Sequence, residues 1–218
     1  MIGVYDYTVI ATYLATILGI CGIFQASDGR TLMAILCLLL AGLLDTFDGR
    51  IARSKKNRTQ QEKRFGIQID SLNDLICFGV LPAAICRDVY NSRPTLYDAG
   101  GCAALFTAVL CFFVLAGLIR LAYFNVMEEE RQKSTDSVRK YYLGVPVTSA
   151  AFMIPAYYLL ALYGGLTDCV VYGVGLFILG VAFITPIHVP KPGLRGIIVM
   201  SLIGAAELAL FILATMGL

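Results

Sequence analysis

The stretch TLMAILCLLLAGLLDTFDGRIAR, residues 31–53, decides the fold, because an apolar run leads directly into two aspartates and a basic segment. Its first 14 residues, 31–44, carry no charge. As an α-helix they would extend about 21 Å, less than the ~30 Å hydrocarbon core of a bilayer. A membrane-spanning helix must therefore continue past Asp45 and Asp48, which places both carboxylates inside one leaflet.

The whole chain has the composition of a membrane protein. Of its 218 residues 58% are hydrophobic and 15% charged, with a mean hydropathy of +0.77, whereas an ordinary globular domain carries about 25% charged residues. Long uncharged runs occupy 7–27, 99–119, 141–167 and 169–187. We predict an all-α, polytopic transmembrane helical bundle that forms one domain over residues 1–218. A net charge of +2 is too small to favour a nucleic-acid partner.

The distribution of basic residues predicts which side of the membrane each loop occupies. With the amino terminus in the cytoplasm, the inner connections hold 14 of the 17 Lys and Arg residues and the outer ones only Arg30, Arg87 and Arg93. The first span follows no basic segment, so we expect it to stay in the membrane. The basic loops 53–65 and 126–140 either set topology or hold anionic lipid headgroups. About seven spans are expected, within a range of six to eight, near 7–26, 31–52, 66–86, 100–124, 144–164, 169–187 and 196–217.

A second pair of acids follows in the next span. Asp70 and Asp74 lie shortly after Gly66, and spacings of three and four residues put each pair on one helix face. Asp48 and Asp45 lie about 7.5 and 12 Å inward from Arg53, and Asp70 and Asp74 lie about 6 and 12 Å inward from Gly66. Because consecutive spans run antiparallel, the four carboxylates are expected to converge.

Two interpretations of this acidic cluster remain open. Four neighbouring carboxylates repel one another, and one or two divalent cations such as Mg²⁺, Mn²⁺ or Ca²⁺ would neutralise them. Alternatively, the aspartates are solvated at a span boundary and paired with Arg50 and Arg53. The small residues Gly49, Ala52 and Gly66 allow close approach of a ligand, and Arg53 can pair with phosphate. This combination favours a metal-assisted phosphoryl-transfer site.

Two other features are weaker. The seven cysteines lie inside or beside apolar runs without a CxxC pair, so we interpret them as packing residues. Glu207 lies about 18 Å along the last predicted helix from Arg195, near mid-membrane. It is either a helix-packing contact or a protonated side chain.

The acidic segments resemble a known family motif. Residues 45–53, DTFDGRIAR, and 66–74, GIQIDSLND, match all eight fixed positions of D-x-x-D-G-x-x-A-R-(spacer)-G-x-x-x-D-x-x-x-D. This is the motif of the CDP-alcohol phosphatidyltransferase family. The 12-residue spacer is about four residues longer than usual. Further segments resemble the membrane-embedded phosphatidylserine synthase branch: DSLNDLICFGVLPA at 70–83, RLAYFNV at 120–126, GVP at 144–146 and ITPIHVPK at 184–191.

The resemblance implies an enzyme that transfers the phosphatidyl group of CDP-diacylglycerol to L-serine, releasing CMP. It implies Mg²⁺ or Mn²⁺, one or two ions, at the metal site, with Asp74 as general base. It also implies a multi-pass protein of the cell membrane, an active site on the cytoplasmic side and a homodimer. The implied metal ligands are Asp45, Asp48, Asp70 and Asp74, and the implied CDP-diacylglycerol site comprises Asp45, Asp48, Gly49, Ala52, Arg53, Gly66 and Asp70.

The serine pocket and the acceptor are less defined. Arg120, predicted at the cytoplasmic end of span four, can bind the serine carboxylate, and Asn125 can hydrogen-bond the serine ammonium or carboxylate. Otherwise Arg120 only anchors the helix at the interface. A sibling enzyme using glycerol 3-phosphate, inositol phosphate or choline is the first alternative. A cation-coupled transporter is the second, although its acids would be expected nearer the midplane.

Overall fold

The computed structural model describes residues 3–55, 57–92, 101–134, 141–164, 169–190 and 194–216, which are nearly all helical. The predicted all-α membrane bundle is confirmed. The elements are α1 Tyr7–Ser27, α2 Thr31–Ser54, α3 Gln60–Asp74, a π-helical segment Leu75–Val80, α4 Leu81–Ser92, α5 Gly101–Ser134, β1 Tyr141–Leu143, a 3₁₀ turn Val147–Ser149, α6 Ala150–Gly164, α7 Cys169–Ile184, β2 His188–Pro190 and α8 Leu194–Met216.

Four helical segments in the described ranges are long and apolar enough to cross a membrane. They are Tyr7–Ser27, Thr31–Gly49, Gln60–Ser92 and Cys102–Arg131. Val147–Leu160, Val171–Ile184 and Leu202–Leu213 form shorter apolar helices. Every predicted span therefore coincides with a helix, while the number of crossings and the orientation stay predictions.

Three helix boundaries differ from the sequence prediction. The third helix begins at Gln60 rather than near Gly66, because Thr59 and Glu62 form a capping box that starts it earlier. The fourth continues to Ser134 rather than ending near 124. The fifth begins near 150 rather than 144, because a turn and a short strand precede it.

That strand belongs to a small antiparallel pair, β1 with β2, that we did not predict. Gly144 ends β1 with φ +75°, and its N–H donates to Ile187 O at 2.8 Å. A Cβ on Gly144 would lie 2.5 Å from the carbonyl oxygen of Phe183. Only glycine fits this contact, which fixes the start of the α6 region against the end of α7.

Helix α1 packs closely against α2 and against the π-helical segment. A Cβ on Gly22 of α1 would lie 2.9 Å from Cys37 Cβ of α2, and one on Gly19 would lie 2.6 Å from Cys77 Sγ of the π-helical segment. Small residues thus let α1 pack directly on both elements that carry or follow the acids. Phe78 and Phe113 are fully buried in the same core.

The helix widens directly after Asp74. Pro82 has no N–H and its ring would clash with the carbonyl of residue 78 in a regular α-helix. The chain instead forms π-helical turns, in which Leu81 N–H donates to Ile76 O. π-Helical segments inside α-helices often occur at functional sites.

Two pairs of residues fix the register of α2 against the α3–α4 helix. At one end the Thr31 hydroxyl donates to the Asp88 carboxylate, which is only 7% exposed. Fourteen positions separate Thr31 from Asp45, and fourteen separate Asp74 from Asp88. Thr31 thus pairs with Asp88 near one end of this helix pair, and Asp45 faces Asp74 further along it.

Candidate active site

The predicted acids converge between α2 and α3. One carboxylate oxygen from each of Asp45, Asp70 and Asp74 lies within 4.8 Å of the other two. The side chain of Asp45 faces Asp74, and that of Asp48 faces Asp70. The level-by-level pairing expected from helix geometry is confirmed.

A third helix reaches the cluster through Thr12 of α1. Its hydroxyl donates to Asp48 Oδ2 at 3.3 Å, and Asp48 is only 7% exposed. Thr12 is not among the site residues predicted from the sequence, and none of those residues lies on α1. The signal was present, because Thr8, Thr12 and Thr16 recur every four residues and so share one helix face.

The donor set fits a hard divalent cation. Asp74 Oδ1 is buried and, in the described part of the chain, accepts no hydrogen bond. No ion pair joins Asp45, Asp70 or Asp74 to a basic side chain among the described residues. Oxygen-only ligands suit Mg²⁺, Mn²⁺ or Ca²⁺, and a buried carboxylate oxygen without a donor is stabilised by such an ion.

Asn73 links the acidic helix to α1. Its side chain is 1% exposed, and its Oδ1 accepts from Thr16 Oγ1 at 2.9 Å and from Cys77 Sγ at 3.2 Å. Its amide nitrogen is buried without a partner among the described residues. Asn73 lies between the two motif aspartates of α3, so this network fixes the helix that presents them.

The residues expected to bind the nucleotide lie at the cytoplasmic ends that we predict for α2 and α3. Gly49 is on α2 and Gly66 is on α3. Ala52 and Arg53 belong to the last turn of α2, but their side chains lie outside the described residues. The interpretation in which Arg50 and Arg53 pair with the aspartates therefore rests on side chains that the structure does not describe.

An ion-pair cluster orders the connection between α2 and α3. Lys55 Nζ lies 2.7 Å from Asp6 Oδ2 and 2.9 Å from Glu62 Oε1. Hydrogen bonds from Lys55 and Thr8 lower the pKa of Asp6 to about 2. The same two carboxylates raise the pKa of Lys55. These ion pairs connect the residue that precedes α1 with the basic spacer between α2 and α3.

The predicted serine-binding residues lie on α5. Arg120 is half-buried, and α5 continues for 14 residues beyond it. Asn125 Oδ1 accepts from Ser71 Oγ at 2.9 Å, which brings it next to the motif of α3. Five positions correspond to about 140° around a helix, so Arg120 and Asn125 project from different sides of α5.

Glu207 is a further buried acid, on α8 rather than on the motif helices. It is 7% exposed, and its Oε2 has no partner in the part of the chain that the structure describes. It shares a helix face with Phe211, which packs on Tyr158 of α6. Glu207 therefore lies at the contact between α6 and α8.

Comparison with known proteins agrees with this geometry. The model of the CDP-alcohol phosphatidyltransferase family matches residues 7–186. A Helicobacter pylori protein named CDP-diacylglycerol–serine O-phosphatidyltransferase is 33% identical over 69% of this chain and 56% of its own length. A Saccharomyces cerevisiae protein of the same name is 36% identical over 54% of this chain and 38% of its own.

An archaeal relative is also similar. The archaetidylserine synthase of Methanothermobacter thermautotrophicus is 30% identical over 79% of this chain and 64% of its own length. The chain thus spans less than two thirds of the length of these relatives.

Proposed function

The chain belongs to the CDP-alcohol phosphatidyltransferase family, and from that premise we propose that it transfers the phosphatidyl group of CDP-diacylglycerol to L-serine. The products are phosphatidylserine and CMP. The observation that carries this proposal is the convergence of Asp45, Asp70 and Asp74 at one point between two helices. The names of the relatives support serine as the acceptor.

Asp45, Asp48, Asp70 and Asp74 would hold one or two Mg²⁺ or Mn²⁺ ions. A bound divalent ion neutralises charge on the diphosphate and on the departing CMP phosphate. The unpartnered, buried oxygen of Asp74 and the all-oxygen ligand set support this assignment. Gly49, Ala52, Arg53 and Gly66 would line the CDP portion of the substrate.

Asp74 is proposed as the general base. A serine hydroxyl is a weak nucleophile, and a carboxylate that accepts its proton lowers the barrier to attack. The serine oxygen bonds to the phosphorus that carries diacylglycerol, the bond from that phosphorus to the CMP phosphate oxygen breaks, and the proton passes to Asp74. Thr12 and Asn73 hold the facing helices in place during this exchange.

Arg120 and Asn125 are proposed to bind serine. The Ser71–Asn125 hydrogen bond supports the position of Asn125, because Ser71 directly follows the motif residue Asp70. Arg120→Ala is expected to raise the KM for serine without changing the KM for CDP-diacylglycerol. If both constants stayed at the wild-type values, Arg120 would only anchor the helix.

We also propose a multi-pass protein in the cell membrane, with the acids on the cytoplasmic side and two copies forming a homodimer. The charge asymmetry of the loops supports the orientation. In this arrangement the lipid chains remain in the bilayer while serine enters from the cytosol.

One assay tests the reaction and its alternatives. Purified protein receives CDP-diacylglycerol with Mn²⁺ or Mg²⁺ and, in turn, serine, glycerol 3-phosphate, inositol phosphate or choline, and CMP release is measured. Serine-dependent release is expected. Release only with another acceptor would identify a sibling enzyme, and no release with any acceptor would favour the transporter alternative.

The role of Asp74 has its own test. Asp74→Asn should retain binding of CDP-diacylglycerol and lose turnover, with Asp28→Asn, an exposed aspartate, as the control. Turnover by purified Asp74→Asn would remove Asp74 from the role of base.

A further inference from the structure

We propose that Arg58, in the 12-residue spacer between the two halves of the motif, binds the phosphate of the CMP portion of the lipid substrate. This inference rests on the proposed function and adds a substrate contact to it. Arg58 is not one of the eight motif positions, and the spacer that carries it has 12 residues.

The guanidinium of Arg58 lies directly against Gly66. A Cβ built on Gly66 would be 2.6 Å from Arg58 Nη2, so the guanidinium would have to move away from any larger side chain at this position. The bare face of this motif glycine therefore accommodates a cation supplied by the chain itself. A planar guanidinium is well matched to phosphate, with which it forms paired, charge-assisted hydrogen bonds.

Several contacts hold Arg58 in this place. Its Nη2 donates to Glu62 O at 3.1 Å, and Glu62 also forms the capping box with Thr59. Lys55 pairs with both Glu62 and Asp6, which fixes the loop to the start of α1. A guanidinium has five N–H donors, so the Nη2 contact with the Glu62 carbonyl is compatible with a hydrogen bond to phosphate.

The position relative to the acids fits a diphosphate. Gly66 lies four residues before Asp70, about 6 Å along α3 toward its N-terminus, and directly follows the basic spacer. A diphosphate held at the carboxylate cluster would extend along α3 toward Gly66. Arg58 is then close to the phosphate that leaves with cytidine, where it stabilises both the bound substrate and the released CMP.

Binding of CMP by the purified, detergent-solubilised full chain in the presence of Mn²⁺ tests this role. Arg58→Ala is expected to weaken CMP binding by about tenfold or more, while cytidine, which lacks the phosphate, binds equally to both proteins. Arg58→Lys keeps the charge without the planar fork and should give an intermediate affinity. Arg64→Ala is the matched control, because Arg64 belongs to the same spacer, its side chain is 72% exposed, and its Nη2 lies 3.6 Å from Glu129 Oε1.

Other outcomes would show whether the inference alone or also the proposed function is wrong. Unchanged or tighter CMP binding by Arg58→Ala, with wild-type protein binding CMP, would overturn this inference alone. If Arg58→Ala weakened only binding to phosphatidylglycerol vesicles, the inference would also be overturned, because the spacer would then bind lipid headgroups rather than CMP. If wild-type protein bound neither CMP nor CDP-diacylglycerol, both the inference and the proposed function would be wrong. Thermal unfolding of each variant, expected to match the wild type, separates lost contact from lost fold.

Discussion

Replacement of Asp88 should disturb the acidic cluster from the opposite end of the helix pair. Asp88 accepts a hydrogen bond from Thr31, the first residue of α2, and the residue before that helix provides no side-chain cap. This contact and the Asp45–Asp74 pair join the same two helical segments. Asp88→Ala therefore removes a contact that holds α2 against the helix carrying Asp70 and Asp74.

The magnitude follows from the contacts that are lost. A hydrogen bond to a charged group contributes about 1.5–3 kcal/mol, and an anion beside a helix N-terminus contributes about 0.3–1 kcal/mol more. Asp88→Ala should lower the free energy of unfolding by about 2–4 kcal/mol. It should also raise the Mn²⁺ concentration needed for half-maximal activity, because Asp45 and Asp74 no longer keep one register.

The assay combines denaturant unfolding in detergent with a Mn²⁺ titration of activity. The swapped variant Thr31→Asp/Asp88→Thr restores a hydroxyl–carboxylate pair and should recover most of both losses. Asp28→Ala, at an exposed aspartate near the start of α2, is the control. Wild-type stability and Mn²⁺ dependence in Asp88→Ala, or a swap that recovers neither, would refute the register explanation.

Two further predictions concern α1. Gly19→Ala would place a methyl group 2.6 Å from Cys77 Sγ in the π-helical segment. We expect the free energy of unfolding to fall by about 1–3 kcal/mol. The double variant Gly19→Ala/Cys77→Ala should recover part of this loss, and failure to recover it would show that the strain does not come from Cys77. Asp6→Asn should unfold at a lower temperature than wild type at neutral pH, because Lys55 holds the pKa of Asp6 at about 2 instead of 3.8. A lowered pKa stabilises the fold above the ordinary value, so the difference should shrink as pH falls from about 4 toward 2, and a pH-independent difference would contradict this.

The convergence of the acids could be predicted from sequence because helical spacing is local. Asp45 with Asp48 and Asp70 with Asp74 each occupy one helix face, and a short loop forces the helices to be antiparallel. The apolar run before Asp45 is too short to span a bilayer alone, which placed the acids inside the helix.

Other parts of the site depend on contacts between helices that are distant in sequence. The Thr12–Asp48 and Thr16–Asn73 bonds join residues 36 and 57 positions apart, so the recurrence of threonines marks one face of α1 without specifying its partners. Hydropathy gave a span that ends near residue 124, whereas helix propensity carries α5 through the charged residues up to Ser134. The contact of Arg58 with Gly66 depends on the ordered loop, whose geometry the motif does not encode.

Binding of Mn²⁺ to purified wild-type protein and to Asp70→Asn, followed by thermal unfolding with and without metal, tests the central claim most directly. Without metal, Asp70→Asn should be at least as stable as wild type, because it removes one of several neighbouring negative charges. With saturating Mn²⁺ the order should reverse, since only the wild type gains stability from the bound ion. Equal Mn²⁺ binding by both proteins, or no stabilisation of the wild type by Mn²⁺, would contradict a metal site formed by these aspartates.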